Sequence, residues 1–408
     1  MHPEIYRMKY YRTTLKGVID LLQKIFVEGL YADKVISYAL KNNPKWGARD
    51  RSFVAESTYE LVRWWRLINE SLAEENDNSV TNHYRLFATW QLINGNELPD
   101  WEEFAGIDKN KIIENASKLK SDRKVRESIP DWLDELGSKE LGEEVWSREI
   151  AELNKPAKLV IRVNTIKITS GQVQRMLKEQ EIETITSEEY PDALIVLKRK
   201  NLHNLVQFKK GWFEIQDASS QLVAQYLQVE PGMKVIDACA GAGGKSVHIG
   251  ALMNNTGTII SMDLNEKKLE ELTRRAERAG VTIIETRVVN DLVVDQLTNI
   301  GDRLLLDVPC SGLGVLRRKP HTKWKLSAEK IEEIKNVQKK ILSDYSKMLK
   351  PGGLMVYATC SILPGENELQ IEEFLKTHPA FELEEDRKVM PSEGFDGFYM
   401  ARVKRISW

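Results

Sequence analysis

No apolar stretch in this 408-residue chain approaches the roughly 18 residues that a membrane-spanning helix requires, so no membrane partner is expected. Cysteine is scarce. Three residues, an odd number, argue against a disulfide framework and suit a reducing, cytoplasmic compartment. Net charge is nearly absent as well, with 59 Lys and Arg against 61 Asp and Glu, so any nucleic-acid partner must be sought in local clusters. The opening stretch MHPEIYRMKYYRTTLKGVIDLLQ lacks the apolar core and small-residue cleavage site of a signal peptide. Internal repeats and low-complexity tracts are also missing. What remains is a soluble chain long enough for two or three domains.

Helical periodicity fills the first third. LKGVIDLLQKIF aligns Leu15, Val18, Leu22, Ile25 and Phe26, and RSFVAESTYELVRWWRLI aligns Phe53, Val54, Tyr59, Leu61, Val62 and Trp65. The polar stretch 71–80 reads as a loop, and a further helix carries Leu86, Trp90 and Leu92. An all-helical domain over 1–128 is expected, with Pro130 opening a new helix behind Ser128 as its cap. Two β-branched runs, AKLVIRVNT and DALIVLKRK, then flank the helical SGQVQRMLKEQ, which makes a small α/β unit over 129–211. Over 212–408, runs such as MKVIDAC, GTIISMD, TIIETRVV, RLLLDV, GLMVYATC and FYMARV alternate with helical patterns. The clearest of these is 327–349, with Ile331, Ile334, Ile341, Tyr345 and Met348 on one face. Such alternation predicts parallel strands with crossover helices, a doubly wound α/β domain.

The loop DACAGAGGKS, from Asp237 to Ser246, is the first chemical signal. A phosphate loop requires a glycine where Cys239 stands, and a dinucleotide fingerprint requires one at Ser246, so both patterns fail. What is left is a strand, an acid, and a tight turn of small residues (Cys239, Ala240, Gly241, Ala242, Gly243, Gly244) into a helix. A second acid, Asp263, stands about twenty residues on, where a carboxylate commonly holds a ribose diol. Ribose without phosphates points to S-adenosylmethionine, although an ordinary glycine-rich strand-to-helix turn shares these features.

Two later strand-like runs, LLLDVPCSGLGV and LMVYATCSILPGENE, each end in a cysteine at the carboxyl edge of a strand, where open α/β sheets bind their ligands. In the usual methyltransferase strand order they are neighbours, so Cys310 and Cys360 are expected to face one pocket. Two thiols beside a methyl donor suit methylation of a pyrimidine at carbon 5. A thiolate adds to carbon 6, and the enamine so formed attacks the methyl group. A base then takes the carbon 5 proton as the thiolate leaves. Methylation of an exocyclic amine requires no thiol and usually shows Asn/Asp-Pro-Pro-aromatic, where this chain has Asp307-Val308-Pro309-Cys310.

In these residues the chain resembles the Sun-type RNA (cytosine-5) methyltransferases along essentially its whole length. The resemblance implies a Rossmann-like, S-adenosylmethionine-dependent catalytic domain over 212–408, without a metal. It also implies that Cys360, in Thr-Cys-Ser, is the nucleophile and that Cys310, in Asp-x-Pro-Cys, helps to release the product. By the same resemblance Asp307 and Lys245 touch the cytosine, while Asp263 and Asp291 contact the ribose and adenine. Two departures stand out: Cys-Ala-Gly-Ala-Gly-Gly-Lys replaces the usual Cys-Ala-Ala-Pro-Gly-Gly-Lys, and Asn290-Asp291 replaces the commoner Gly-Asp.

A base that reacts must leave its stack, and the flanking strand must be gripped by positive charge and aromatic faces. RRKPHTKWK supplies Arg317, Arg318, Lys319 and Lys323 just beyond Cys310. Arg162 and Asn164 share one face of LVIRVNT and resemble the family's Arg-x-Asn motif, while 197–200 and Lys209-Lys210 add cations to the same small unit. The helical N-terminal part resembles the NusB-like domain of bacterial RsmB-type enzymes, which act on small-subunit ribosomal RNA. FYMARV lies near the end of the sequence, so no RNA-binding extension is expected after it. The expectation is a monomeric methyltransferase of small-subunit rRNA. The competing readings are the same chemistry on tRNA, or an RNA-binding assembly factor without turnover.

Overall fold

The computed structural model describes residues 10–198 and 200–406. Part of the N-terminal stretch read above for a signal peptide (residues 1–9), and Arg199 of the run 197–200, lie outside the described residues. The chain divides into two compact units. One comprises the residues up to Asn154 together with Leu316–Ser327, and the other comprises Lys155–Val315 together with the residues from Ala328 onward.

The first unit is helical. The stripe expected on 15–26 is real: Leu15, Val18, Leu22 and Ile25 are buried in a helix, Arg12–Leu22, that widens into a π turn over Gln23–Val27. Phe26 stacks on Trp65 with ring centroids 3.6 Å apart. The long pattern through Trp65 is two helices, Ala48–Arg63 and Trp65–Leu72, broken where Trp64 leaves helical geometry (φ −101°, ψ 20°). Both tryptophans pack against the core of the unit. Ser128 does not cap the helix that follows it. It sits in a left-handed turn (φ 53°), and its Oγ accepts from the backbone N–H of Arg66 at 2.9 Å, capping Trp65–Leu72 across the fold. The next helix starts one residue after Pro130, at Asp131, and this unit continues through Glu143–Leu153.

The second unit holds two sheets. β1 (Leu159–Val163), β2 (Thr184–Thr186), β3 (Ala193–Val196) and β4 (Phe213–Ile215) form an antiparallel sheet in the order β2-β3-β1-β4. The larger sheet contains β5 (Lys234–Asp237), β6 (Thr258–Asp263), β7 (Ile284–Val288), β8 (Gly301–Asp307), β9 (Leu349–Thr359), β10 (Phe381–Val389) and β11 (Phe398–Arg405). Its order is β10-β11-β9-β8-β5-β6-β7. β5 to β9 are parallel, and β11 runs antiparallel to both β9 and β10, so β10 points the same way as the parallel set. This is the doubly wound, Rossmann-like α/β sheet expected from the alternation of elements.

The runs are continuously apolar because both faces are covered. Val235, Ile259, Leu305 and Val356 enter one core cluster, while Ile236, Ile260, Leu304, Leu306, Met355 and Tyr357 enter the other. β10 was not legible: its outward residues are acidic and mostly exposed, as an edge strand tolerates. Strand order reverses at β5, which is where ligands bind in such sheets.

Candidate active site

Asp237, Asp263 and Asp307 end β5, β6 and β8, so the three acids arrive at one edge of the sheet because three neighbouring strands stop there. Between Asp237 and the helix Gly244–Leu252 the chain turns through Gly241 (φ 55°) and Gly243 (φ 83°), conformations that favour glycine. A Cβ on Gly243 would lie 2.4 Å from Leu272, whereas one on Gly241 would meet nothing within 4 Å. Gly243 is thus required for packing, and Gly241 keeps a space open. Asp263 closes this turn by accepting from the Gly241 N–H at 3.0 Å. Its other oxygen accepts from Asn265 N–H at 2.8 Å.

Asp237 is fully buried and accepts from Ser246 Oγ at 2.6 Å. Burial pushes its carboxyl up to about 7. Burial also pushes the Cys239 thiol up, with the nearby carboxylates adding to it. Asp291, the first residue of the helix Asp291–Gln296, and Leu292 are exposed. The open space at Gly241, with a carboxylate beside it and no basic residue in the loop until Lys245, fits an uncharged adenosine better than a pyrophosphate. Among the described residues no group of three or more His, Cys, Asp or Glu side chains could hold a metal ion. No described helix is long and apolar enough to cross a membrane.

Lys245 Nζ reaches back 2.6 Å to Asp307 Oδ2 and lies 5.2 Å from the centre of the Phe398 ring. A cavity of about 200 Å³ opens beside this pair, lined also by Arg162, Gln216, Ser220 and Arg275. β8 and β9 are parallel neighbours, as the cysteine argument requires. Three residues beyond Asp307, Cys310 Sγ stands 3.1 Å from Cys360 Sγ and accepts from the Cys360 N–H at 3.3 Å. The contact with Cys360, followed by burial, pushes the Cys310 thiol well above its ordinary range. Cys310 thus faces Cys360 directly across the two neighbouring strand ends.

Of the six residues expected to touch RNA, four are buried. Arg162 donates to the Gly244 carbonyl at 2.7 Å and to Gln216, so it braces the glycine turn, and burial draws its guanidinium down to about 10. Asn164 donates to the carbonyls of Gly211 and Ala279 at 2.7 and 2.8 Å. Arg317 bonds to the Glu152 carbonyl at 2.8 Å inside the helical unit. Lys323 is only 1% exposed, with burial lowering its ammonium well below the usual lysine range. Arg318 is half-buried and Lys319 exposed. The sequence reading missed Gln216, Ser220 and Arg275, which come from a short strand end, an uncharged helix and a charged helix face without any motif.

Residues 224–404 match the family described as 16S rRNA methyltransferase RsmB/F, and residues 129–203 match the ferredoxin-like domain of RsmF/B-like methyltransferases. Over 393 residues the chain is 30% identical to the probable ribosomal RNA small subunit methyltransferase B of Synechocystis sp., covering 88% of this chain and 88% of that protein. It is 35% identical over 288 residues to the ribosomal RNA small subunit methyltransferase B of Vibrio cholerae, covering 68% of this chain and 65% of that protein. The crystal structure of PH0851 superposes with a TM-score of 0.82 at 23% identity, over 98% of this chain and 100% of that one, a likeness of fold.

Proposed function

Because this chain belongs to the RsmB/F family of 16S rRNA methyltransferases, we propose that it methylates carbon 5 of a cytosine in small-subunit ribosomal RNA through a covalent bond to Cys360. S-adenosylmethionine would be held by the Gly241–Gly243 turn, Asp263 and Asp291, and would supply the electrophilic methyl group. The observation that carries the reading is the pair of sulfurs 3.1 Å apart, on neighbouring strand ends, beside the Lys245–Asp307 pair.

In this reading the Cys360 thiolate adds to carbon 6, and Lys245 and Asp307 hold the polar edge of the ring in the adjoining cavity. The electron pair displaced to carbon 5 takes the methyl group as the bond from that group to the donor sulfur breaks, leaving a neutral thioether. A base then takes the carbon 5 proton, and the ring double bond re-forms as the thiolate departs. Cys310, held as a thiol against Cys360, assists that departure. We assign residues 1–128 and 129–211 to RNA binding and residues 212–408 to catalysis, with Arg318 and Lys319 facing the nucleic acid and Arg162 bracing the glycine turn. The enzyme acts as a single chain in the cytoplasm.

The test incubates Cys310→Ala and Cys360→Ala proteins with S-adenosylmethionine and total cellular RNA. Cys360→Ala is expected to lose methylation and keep its RNA affinity. Cys310→Ala is expected to stall as an adduct that survives denaturing electrophoresis, and sequencing the trapped RNA names the target. Transfer RNA in the adduct replaces the substrate assignment. An active Cys360→Ala protein overturns the mechanism.

A further inference from the structure

The turns that carry the two cysteines are built alike, and one side chain joins them. Ser311 follows Cys310 and Ser361 follows Cys360. Ser311 Oγ accepts from the Leu313 N–H at 3.3 Å, and Ser361 Oγ accepts from the Leu363 N–H at 3.2 Å. Both hydroxyls donate to one oxygen of Glu366, each at 2.5 Å. The other oxygen accepts from the Ser311 N–H at 2.8 Å and from Gln338 Nε2 at 3.0 Å. Gln338, projecting from the helix Ala328–Tyr345, also donates to the Pro309 carbonyl at 3.0 Å, directly before Cys310.

Glu366 is fully buried, and among the described residues no cation pairs with it. A buried carboxylate is costly unless hydrogen-bonded, and here four neutral donors fill the roughly four acceptor positions that a carboxylate offers. Its main chain is fixed too, since Tyr357 O–H donates to the Glu366 carbonyl at 2.7 Å. Core packing of strand ends does not require a charge at this point, and an apolar side chain would fill the space at lower cost. What the charge does is draw four donors to one centre, three of them from the two cysteine turns.

We propose that Glu366 is a positioning residue for the methyl transfer: its buried carboxylate locks the turn after Cys310 to the turn after Cys360 and so holds the two sulfurs face to face. Glu366 touches neither substrate nor reacting atoms, and the inference rests on the cysteine chemistry proposed above. Glutamine is the informative replacement. Its amide nitrogen would bring two hydrogens to a place where donors already point, either the two serine hydroxyls or Ser311 N–H and Gln338 Nε2. The serine hydroxyls can turn to accept from that amide, but the charge-assisted bonds that draw both cysteine turns to one centre then become weaker neutral ones, and the turns loosen. Displacement of a reacting group by about 1 Å costs on the order of a hundredfold in rate.

The experiment measures two things in the full-length protein. The first is the rate at which diamide closes a Cys310–Cys360 disulfide, in which the two thiols give two protons and two electrons to the diamide and an S–S bond forms. The second is methylation, with kcat and KM for RNA determined separately. Glu366→Gln is expected to slow disulfide closure about tenfold and kcat about a hundredfold, with KM within twofold of the parent. Glu366→Asp, which keeps the charge but retracts it, should fall between the two. If Glu366→Gln does not fold, Gln338→Ala, which removes a single donor, should show the same two losses at a few-fold each. Disulfide closure at the parental rate, or a rise in KM without a fall in kcat, overturns the proposal. If the parent closes the disulfide rapidly but methylates no RNA cytosine, the functional reading fails while the clamp stands.

Discussion

Gly241 and Gly243 stand two residues apart in one turn, and the same substitution should damage the protein in two different ways. Alanine at either position must adopt a left-handed backbone, which costs roughly 1–2 kcal/mol. At Gly243 the new methyl group would also lie 2.4 Å from Leu272 Cγ, and Leu272 is fully buried in the helix Glu266–Ala279. Overpacking of that kind adds roughly 1–3 kcal/mol, for a total of about 2–5 kcal/mol. At Gly241 the methyl group meets nothing within 4 Å, so the fold loses only the backbone term. That open space is where we place the adenosine, however, and the added group should weaken S-adenosylmethionine binding at least tenfold, or about 1.4 kcal/mol. Urea unfolding and calorimetric titration of the two proteins separate these effects. Equal loss of stability in both, or parental donor affinity in Gly241→Ala, refutes the reasoning.

Asp237→Asn should flatten one pH dependence. The native carboxyl titrates near 7, above its unfolded value of about 3.9, so it stabilises the fold fully below pH 4. That stability is lost as pH rises toward 7, by up to about 1.4 kcal/mol per unit. His248, which burial draws down to about 4, acts in the opposite sense, losing stability as pH falls from about 6.5. Urea midpoints between pH 4 and 7 should therefore climb more steeply with pH in Asp237→Asn than in the parent, and an unchanged profile contradicts the assignment. Ser128→Ala removes the cap on Trp65–Leu72 and should cost about 1 kcal/mol by the same assay, with no change in methylation.

The catalytic sheet was legible because its strands are apolar on both faces, and because Cys310 and Cys360 each follow such a run immediately. β10 was not, since FELEEDRKV pairs on one side only and turns acids to solvent. Ser128 shows a different limit: its place before Pro130 suggested a local cap, but the N–H groups it satisfies are 62 and 61 residues away in sequence. Glu366 reads as a surface acid in LPGENE, because four donors from three segments meet only after folding. The cations of 317–325 misled in the same way. A run beside a reactive loop looks like a grip for RNA, whereas Arg317 and Lys323 are enclosed by helices from the other end of the sequence.

That last segment also bears on how the protein is made. The helical unit is assembled from two stretches of chain with residues 155–315 between them. Trp324 donates to the Val62 carbonyl at 2.7 Å, Lys325 to the Ile25 carbonyl at 3.0 Å, and Arg63 to the Arg317 carbonyl at 2.9 Å. On the ribosome these groups wait for their partners while the intervening residues are translated, on the order of ten seconds at ordinary elongation rates. The N-terminal helices therefore emerge as an unfinished body, exposed to chaperones until the segment that follows the Cys310 loop arrives to complete it.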